Sequence, residues 1–459
     1  MTSERIYWNE EMESLPLDQL RALQTDRLRK QIRYIYDNSP DFFRKKFDGI
    51  GARPEDIRSW DDFRALPIFR SKEEDRLAQD ESMERYGHPY GTYLCAPLEK
   101  VVHVYCTSGT SGMPTFYPFT EEDMRLNDEC WARSWWRAGM RPGDTVLHGF
   151  GLSMWSAGVP VVRALASMGC RPIAAGAEAG LERMLMFANI TRPSALVGTP
   201  SLAELIIERS PSILGKPASE LGIRTIVVAG APGAGIPEVR QKIEEGFGGA
   251  RLFDSSQGCW GLANISCGSP DYHGLHVISE DTAIWYDIVD PDSKRPLPIE
   301  DGAVGEGVIT SFVHQAAPAF RYSFGDLVQV FTEPCPGCGF TGHRFKIVGR
   351  VDDMLNVRGI KVYPTGIKNV VAGFIPQVTG EMRVVLKTPG PKVEPPLELK
   401  IEHAADIDAV AREALKTELE KRIHGFLKVR CAVTLVPPES LGRTTLKGVL
   451  IEKTYEKKS

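Results

Sequence analysis

Apolar side chains return at three- and four-residue steps through LDQLRALQTDRLRKQIRYIYDNSPDFFRKKF, which predicts a largely helical first hundred residues. From about Val101 to Gly349 the pattern changes. Short β-rich runs (VVHVYC, DTVLHGF, PSALVGT, IRTIVVAGAP, ARLFDSS) alternate with helical stretches such as SLAELIIERS and PEVRQKIEEGF. Apolar strands alternating with helices predict an α/β fold with a largely parallel sheet covered on both faces. Beyond Gly305 the texture turns β-rich, with GEGVITSF and DLVQVFTE as antiparallel strands of a β-subdomain.

From about Val351 the rhythm changes again. Strand-like MRVVLKT and LELKIEH precede a helix, AVAREALKTELEKRIHGF, and a strand, CAVTLVP, which together make a small α+β unit of about one hundred residues. The charged, turn-prone GRVDDM marks the boundary, giving a large domain over residues 1–350 and a small one over 351–459. TPGPKVEPP reads as a surface loop of the small domain, and the charged tail from Glu452 as disordered.

Composition narrows the function. A chain of 459 residues, 42% apolar and 25% charged, suits two or three soluble domains. Its 55 basic against 60 acidic side chains leave a net charge of -5, with no broad basic field for a nucleic-acid backbone. The longest apolar stretch, VLHGFGLSMWSAGVPVVRALASMGC, is broken by Pro160 and Arg163, and reads as strand, loop and helix, not a membrane span. The polar, acidic start MTSERIYWNEEMESL has no apolar core for a signal peptide. Nine scattered cysteines do not suggest a disulfide framework, so a cytoplasmic location is expected.

Two motifs carry chemistry on their own terms. Thr107-Ser-Gly-Thr-Ser-Gly-Met-Pro-Thr115 follows the β-run VVHVYC. Small residues and hydroxyls let backbone N–H groups approach an anion, which suits phosphates. The alternative is a flexible Ser/Gly turn, and with no Gly-Lys-Ser/Thr the run is not a Walker loop. Cys335-Pro-Gly-Cys338 sets two thiolates around a tight turn, where both reach one tetrahedral ion. Cys267 and His273 are the chosen third and fourth ligands, with His276 in reserve; the alternative is a pair of reduced cysteines in a β-turn.

TSGTSGMPT is similar to the phosphate-loop signature of the adenylate-forming superfamily of acyl-CoA synthetases, adenylation domains and luciferases. Three more motifs match in order: Tyr322-Ser-Phe-Gly-Asp-Leu327, the hinge block from Val348 to Pro364, and Leu441-Gly-Arg-Thr-Thr-Leu-Lys447. LPIFRSKEE and GLHV (Gly274 to Val277) place the resemblance nearest the phenylacetate–CoA ligase branch. It implies an ATP-dependent ligase in which a carboxylate attacks the α-phosphate of MgATP, giving an acyl-adenylate that CoA thiolate then resolves.

The resemblance also implies roles. Ser108, Gly109, Thr110, Ser111 and Gly112 would wrap phosphates; Ala231 and Pro232 would lie near adenine; Ser255, Ser256 and Gln257 would line the nucleotide or acyl pocket. Asp326 would accept from the ribose hydroxyls, Arg350 reinforce that contact, Asp352 act as hinge, and Lys447 neutralise charge during adenylation. Relatives of this branch hold zinc where the Cys/His set falls, a structural Zn2+ here. Met113 stands where lysine is common, and FDSSQGCWG lacks the glutamate that helps hold Mg2+, leaving phosphate oxygens, water and Thr110 to bind the ion. Trp136, Trp155 and Ser256 are the acyl-pocket candidates, although aromatics at such positions are often core; their bulk favours a small or aromatic acid, and Ser256 leaves room for a hydroxy acid. Expected partners are the carboxylic acid, ATP and CoA, with no nucleic acid or membrane. A homodimer is a family-level expectation. A separate carrier protein as acceptor and a catalytically degenerate nucleotide-binding protein are the alternatives.

Overall fold

The computed structural model describes residues 6–107, 114–231, 233–256, 260–442 and 449–456. Five short strands form a parallel sheet in the order Arg171–Ile173, Thr145–His148, Ala195–Gly198, Thr225–Val228, Arg251–Asp254. Successive side chains on a strand point to opposite faces, and the sequence uses both. Ala195, Val197, Val227 and Phe253 meet the helices Glu121–Arg137 and Val159–Ser167. Leu196, Ile226, Val228 and Leu252 meet Leu181–Thr191, Pro200–Leu214 and Pro237–Gly246. The winding reverses between Thr145–His148 and Ala195–Gly198, which opens a crevice beyond the carboxyl ends of the strands.

The β-rich region forms a second sheet. Its order is Ala283–Val289, Val304–Ser311, Tyr322–Phe331, Arg344–Arg350, Leu275–Val277, Asn264–Ile265, with Arg70–Ser71 added parallel to Tyr322–Ser323. The long helix Leu17–Asn38 buries Gln24, Leu28, Gln31, Ile32 and Ile35, a single stripe at helical spacing. Its two buried glutamines donate to the carbonyls of Glu280 and His314, both at 2.8 Å, so the stripe is fixed by polar as well as apolar contacts. The two sheets join where Ser255 bridges Ile265 and Ser266 N–H donates to the Asp254 carbonyl at 2.8 Å.

From Leu355 on, a separate core forms between a four-stranded sheet (Cys431–Val436, Leu397–His403, Val378–Leu386, Ile451–Lys453) and the helices Pro364–Ala372 and Ala409–Leu427. Ile451–Lys453 pairs parallel to Val384–Leu386, so the chain after Glu452 begins as a strand, contrary to its expected disorder. Charge density misled there, because Ile451 and Tyr455 still pack on the core. Likewise Lys392–Val393, inside the Pro-rich loop, pairs with Asn356–Val357. Contacts to the rest of the chain are mixed. Ala372 and Ile375 pack on the helical face of the parallel sheet, while Arg209–Glu439 and Lys361–Asp292 form surface ion pairs at 2.7 and 2.8 Å. Among the described residues no helix is long and apolar enough to cross a membrane.

Asp123 shows how tightly the large body is tied. Its buried carboxylate closes the capping box with Thr120 and also accepts from the N–H groups of Gln315 and Ala316 at 2.7 and 2.9 Å. Asp123→Ala strands three buried donors, and each unmade bond costs roughly 1–3 kcal/mol. Urea unfolding should show a loss of at least about 3 kcal/mol; a change near zero would contradict the assignment.

Candidate active site

In the sequence, the Ser/Gly run connects the two strands of a hairpin. His103–Thr107 and Thr115–Phe119 pair antiparallel with Thr107 opposite Thr115, so the segment between them is closed at its base. Ser108, Gly109, Thr110, Ser111, Gly112 and Met113 lie outside the described residues, as do Pro232, Gln257 and Lys447. The N–H of Cys106 donates to the Met154 carbonyl at 2.7 Å, which fastens the hairpin to the loop following Thr145–His148. That loop carries Trp155, half-buried at the carboxyl end of the parallel sheet. Ala231 follows the strand Thr225–Val228, and Ser255 and Ser256 follow Arg251–Asp254, so all three stand at the same edge.

Trp136 does not. It ends the helix that precedes Thr145–His148, and so lies by the amino ends of the strands. There its ring meets Trp8 at 5.6 Å and the Arg141 guanidinium at 4.0 Å, in the core. Its expected place in an acyl pocket is therefore corrected: a residue just before a parallel strand falls at the wrong end of it.

Asp326 and Arg350 are register partners on adjacent strands, Tyr322–Phe331 and Arg344–Arg350. Arg350 donates to Asp326 at 2.7 Å, to the Phe324 carbonyl at 3.0 Å and to Asp352 at 3.1 Å. Burial works against the guanidinium, yet the Asp326 and Asp352 carboxylates prevail and hold its pKa above the usual value. Asp352 itself stands in an exposed turn between Arg350 and the strand Leu355–Val357.

Trp260 brings the parts together, and the sequence reading passed over it. Its buried ring meets Tyr117 of the hairpin at 5.4 Å, and Tyr322 and Phe324 of the Asp326 strand each at 5.3 Å. Its Nε1–H donates to the Ala317 carbonyl at 3.0 Å. The hairpin and the Asp326 strand thus converge on one side chain, which lies four residues after Ser256 in the sequence.

A second cluster lies beside the same sheet. The ligand atoms of Cys267, His276, Cys335 and Cys338 all fall within 4.8 Å of one another. Cys267 Sγ is 4.0 Å from Cys335 Sγ, and Cys338 Sγ is 3.3 Å from His276 Nε2. A tetrahedral zinc with Zn–S of about 2.3 Å and Zn–N of about 2.0 Å would need edges of about 3.8 and 3.5 Å, so the set fits. Burial, with Arg344 and Arg137 nearby, pushes His276 down to about 4, leaving a neutral ring able to ligate at pH 7.

The preferred histidine, His273, is replaced by the reserve, His276. Leu275 and Val277 point into the core under the opening helix, so His276 between them faces the other way, toward Phe340 and the cysteines. His273 precedes the strand; its carbonyl accepts from Arg344 at 2.7 Å and its ring lies against Gly337, where a Cβ would come within 2.6 Å. Period-two alternation in GLHV was the available signal.

Residues 359–452 match a family model described as the AMP-binding enzyme C-terminal domain. The chain is 31% identical over 455 residues to a phenylacetate-coenzyme A ligase of Thermus thermophilus, covering 95% of this chain and 96% of that one. Among solved structures it resembles a 2-hydroxyisobutyryl-CoA ligase in the postadenylation state in complex with R3-HIB-AMP (TM-score 0.87, 26% identity, 99% of this chain and 93% of that chain). The same ligase in the thioesterification state, with 2-HIB-AMP and CoA, gives a TM-score of 0.69 at 27% identity, covering 99% and 94%. This fold, with its crevice at the strand ends, is that of an adenylate-forming enzyme. The chain belongs to the phenylacetate-coenzyme A ligase family and is an AMP-forming acid–CoA ligase.

One further residue organises the loop beside the hairpin. Glu178 accepts from the N–H groups of Leu152 and Ser153 at 2.9 and 3.2 Å, and although burial opposes ionisation these bonds hold its pKa below the usual value. Glu178→Ala should speed amide hydrogen exchange across residues 150–157 by about tenfold, the equivalent of one net bond. Unchanged exchange would refute the clamp.

Proposed function

We propose that the acid is a small or aromatic carboxylate, hydroxy acids included, bound between the loop bearing Trp155 and the Ser255–Ser256 turn. The observation that carries this reading is the joining of the hairpin and the Asp326 strand on Trp260, four residues beyond that turn in the sequence. The named activities of the relatives, on an aromatic acid and on a branched hydroxy acid, support the same range.

In this reading the Ser/Gly run 108–112 wraps the triphosphate with backbone N–H groups, and Ala231 and Pro232 flank the adenine. Asp326 accepts from the ribose hydroxyls, and Arg350 keeps it aimed. Asp326 already engages Arg350, and Asp254 engages Tyr272. Magnesium, when bound with ATP, would be held by phosphate oxygens and water with help from the Thr110 hydroxyl, and would supply charge neutralisation at the phosphates. Lys447 provides a second cation there, which matters because two anions must approach.

Residues 351–459 then rotate about Asp352, withdrawing Lys447 and admitting CoA. The better match to the postadenylation than to the thioesterification structure supports two placements of this body. Exposed pairs such as Arg209–Glu439 and Lys361–Asp292 are typically worth roughly 0–1 kcal/mol, so the apolar contact of Ala372 and Ile375 is the larger one that rotation would break.

The test is AMP and thioester formation from MgATP and CoA over a panel of small aliphatic, hydroxy and aromatic acids. One acid class should give both products together. Lys447→Ala should lower adenylation by at least about a hundredfold while still converting supplied acyl-adenylate and CoA to thioester. Equal loss of both half-reactions would sink the assigned role. Pyrophosphate exchange without thioester would point instead to a carrier-protein acceptor.

The Cys267–His276–Cys335–Cys338 set holds a structural zinc in the same proposal. With four ligands and no open position, its work is to tie the Cys335–Cys338 turn and the Cys267 loop to the sheet. Protein purified without added metal should contain about one equivalent. His276→Ala should lose it and His273→Ala keep it, whereas a folded wild type with little zinc would refute the site.

A further inference from the structure

Tyr272 lies outside every role described so far, yet it touches both the loop proposed to flank the adenine and the residue leading into the turn that would line the nucleotide or acyl pocket. Its hydroxyl donates to Asp254 Oδ2 at 2.6 Å, on the residue that leads into Ser255 and Ser256. Its ring lies so close to Gly235 that a Cβ there would come within 2.8 Å, and Gly235 ends the loop that carries Ala231. The Lys346 ammonium stands 5.4 Å from the ring centroid. Asp254 is held by the same segment through its backbone as well: its N–H donates to Ser266 Oγ at 2.9 Å and its carbonyl accepts from Ser266 N–H at 2.8 Å. Arg240 adds a bond to the Leu252 carbonyl at 2.6 Å, next along the strand.

We infer that Tyr272, through Asp254, is a positioning residue for ATP, fixing the distance between the loop 229–235 and the Ser255–Ser256 turn. The inference rests on the nucleotide placement given above. The strand Arg251–Asp254 is the outer edge of its sheet, with a paired neighbour on one side only. Its one ladder ends with Ser255 N–H donating to the Val228 carbonyl at 2.8 Å, and the loop 229–235 runs on beyond that last bond. Tyr272 spans the two segments there, with a rigid ring on one and a hydrogen bond on the other. Burial pushes Asp254 up to about 6 and the Tyr272 bond opposes that rise, so the phenol also favours the ionised acceptor. Tyr272 joins the turn to the loop of Ala231, on the proposed adenine side, so its effect should fall more on ATP than on the acid, which shares the turn.

Tyr272→Phe keeps the ring and removes the donor. It should raise the KM for ATP about five- to twentyfold, raise the KM for the acid less than about twofold and lower kcat less than about twofold. Asp254→Ala should do the same, and the double variant should be no worse than either single one. Asp254→Asn, which keeps an acceptor oxygen, should restore most of the ATP affinity. Asp326→Ala serves as the control for the placement itself. If it raises the KM for ATP while Tyr272→Phe does not, the positioning role is wrong. If neither variant moves it, the nucleotide placement fails and the inference with it. A matched rise in both KM values with a lowered thermal midpoint would mean that Tyr272 only supports the fold.

Discussion

The site depends on one buried indole. Trp260 meets two aromatic rings edge-on and a third tilted at 58°, and each such pair typically adds about 0.5–1.5 kcal/mol beyond burial. Its N–H is bonded as well, so the ring has one orientation. Because Tyr117, Tyr322 and Phe324 belong to different parts of the chain, that orientation sets where the hairpin mouth stands relative to Asp326. The Tyr117 and Tyr322 hydroxyls, 3.1 Å apart, tie two of those parts a second time.

Around this fixed half the molecule divides its labour by bond type. Apolar cores hold each body together, and the join between the two sheets is made by backbone hydrogen bonds at Ser255 and Ser266. The contact with the C-terminal body combines exposed ion pairs with a small apolar patch at Ala372 and Ile375. Rigidity is concentrated where groups must hold a charge in place, and cheap contacts are left where a body has to turn.

Much of this was legible in the sequence. The alternating β and α runs give the five-stranded sheet in place, since buried parallel strands need continuous apolar residues and DTVLHGF, PSALVGT and IRTIVVAGAP supply them. GDL and GRVDD mark Asp326, Arg350 and Asp352 because glycine and aspartate there serve backbone and charge at once. What failed had physical causes. Trp136 was judged by bulk, whereas its place before a strand decides which end it occupies. His273 and His276 differ by strand alternation that adjacency to cysteine does not express. Trp260 and Tyr272 act through partners 62 and more or 18 residues away, as with Tyr322 and Asp254, and no local pattern announces such contacts. The strand Ile451–Lys453 is made by its partner, Val384–Leu386, not by its own composition.

The bond from Cys106 N–H to the Met154 carbonyl has an effect on how such a ligase can diversify. It mounts the stem of the hairpin and the loop of Trp155 on a single support, so changing the shape of one displaces the other. Under the proposed placement of acid and triphosphate, substitutions selected for a new acid in residues 150–157 would carry a hidden penalty on triphosphate handling unless Met154 keeps its backbone course. Lineages that switch acids should accumulate their changes on the far side of that pocket first, or compensate in the hairpin afterwards.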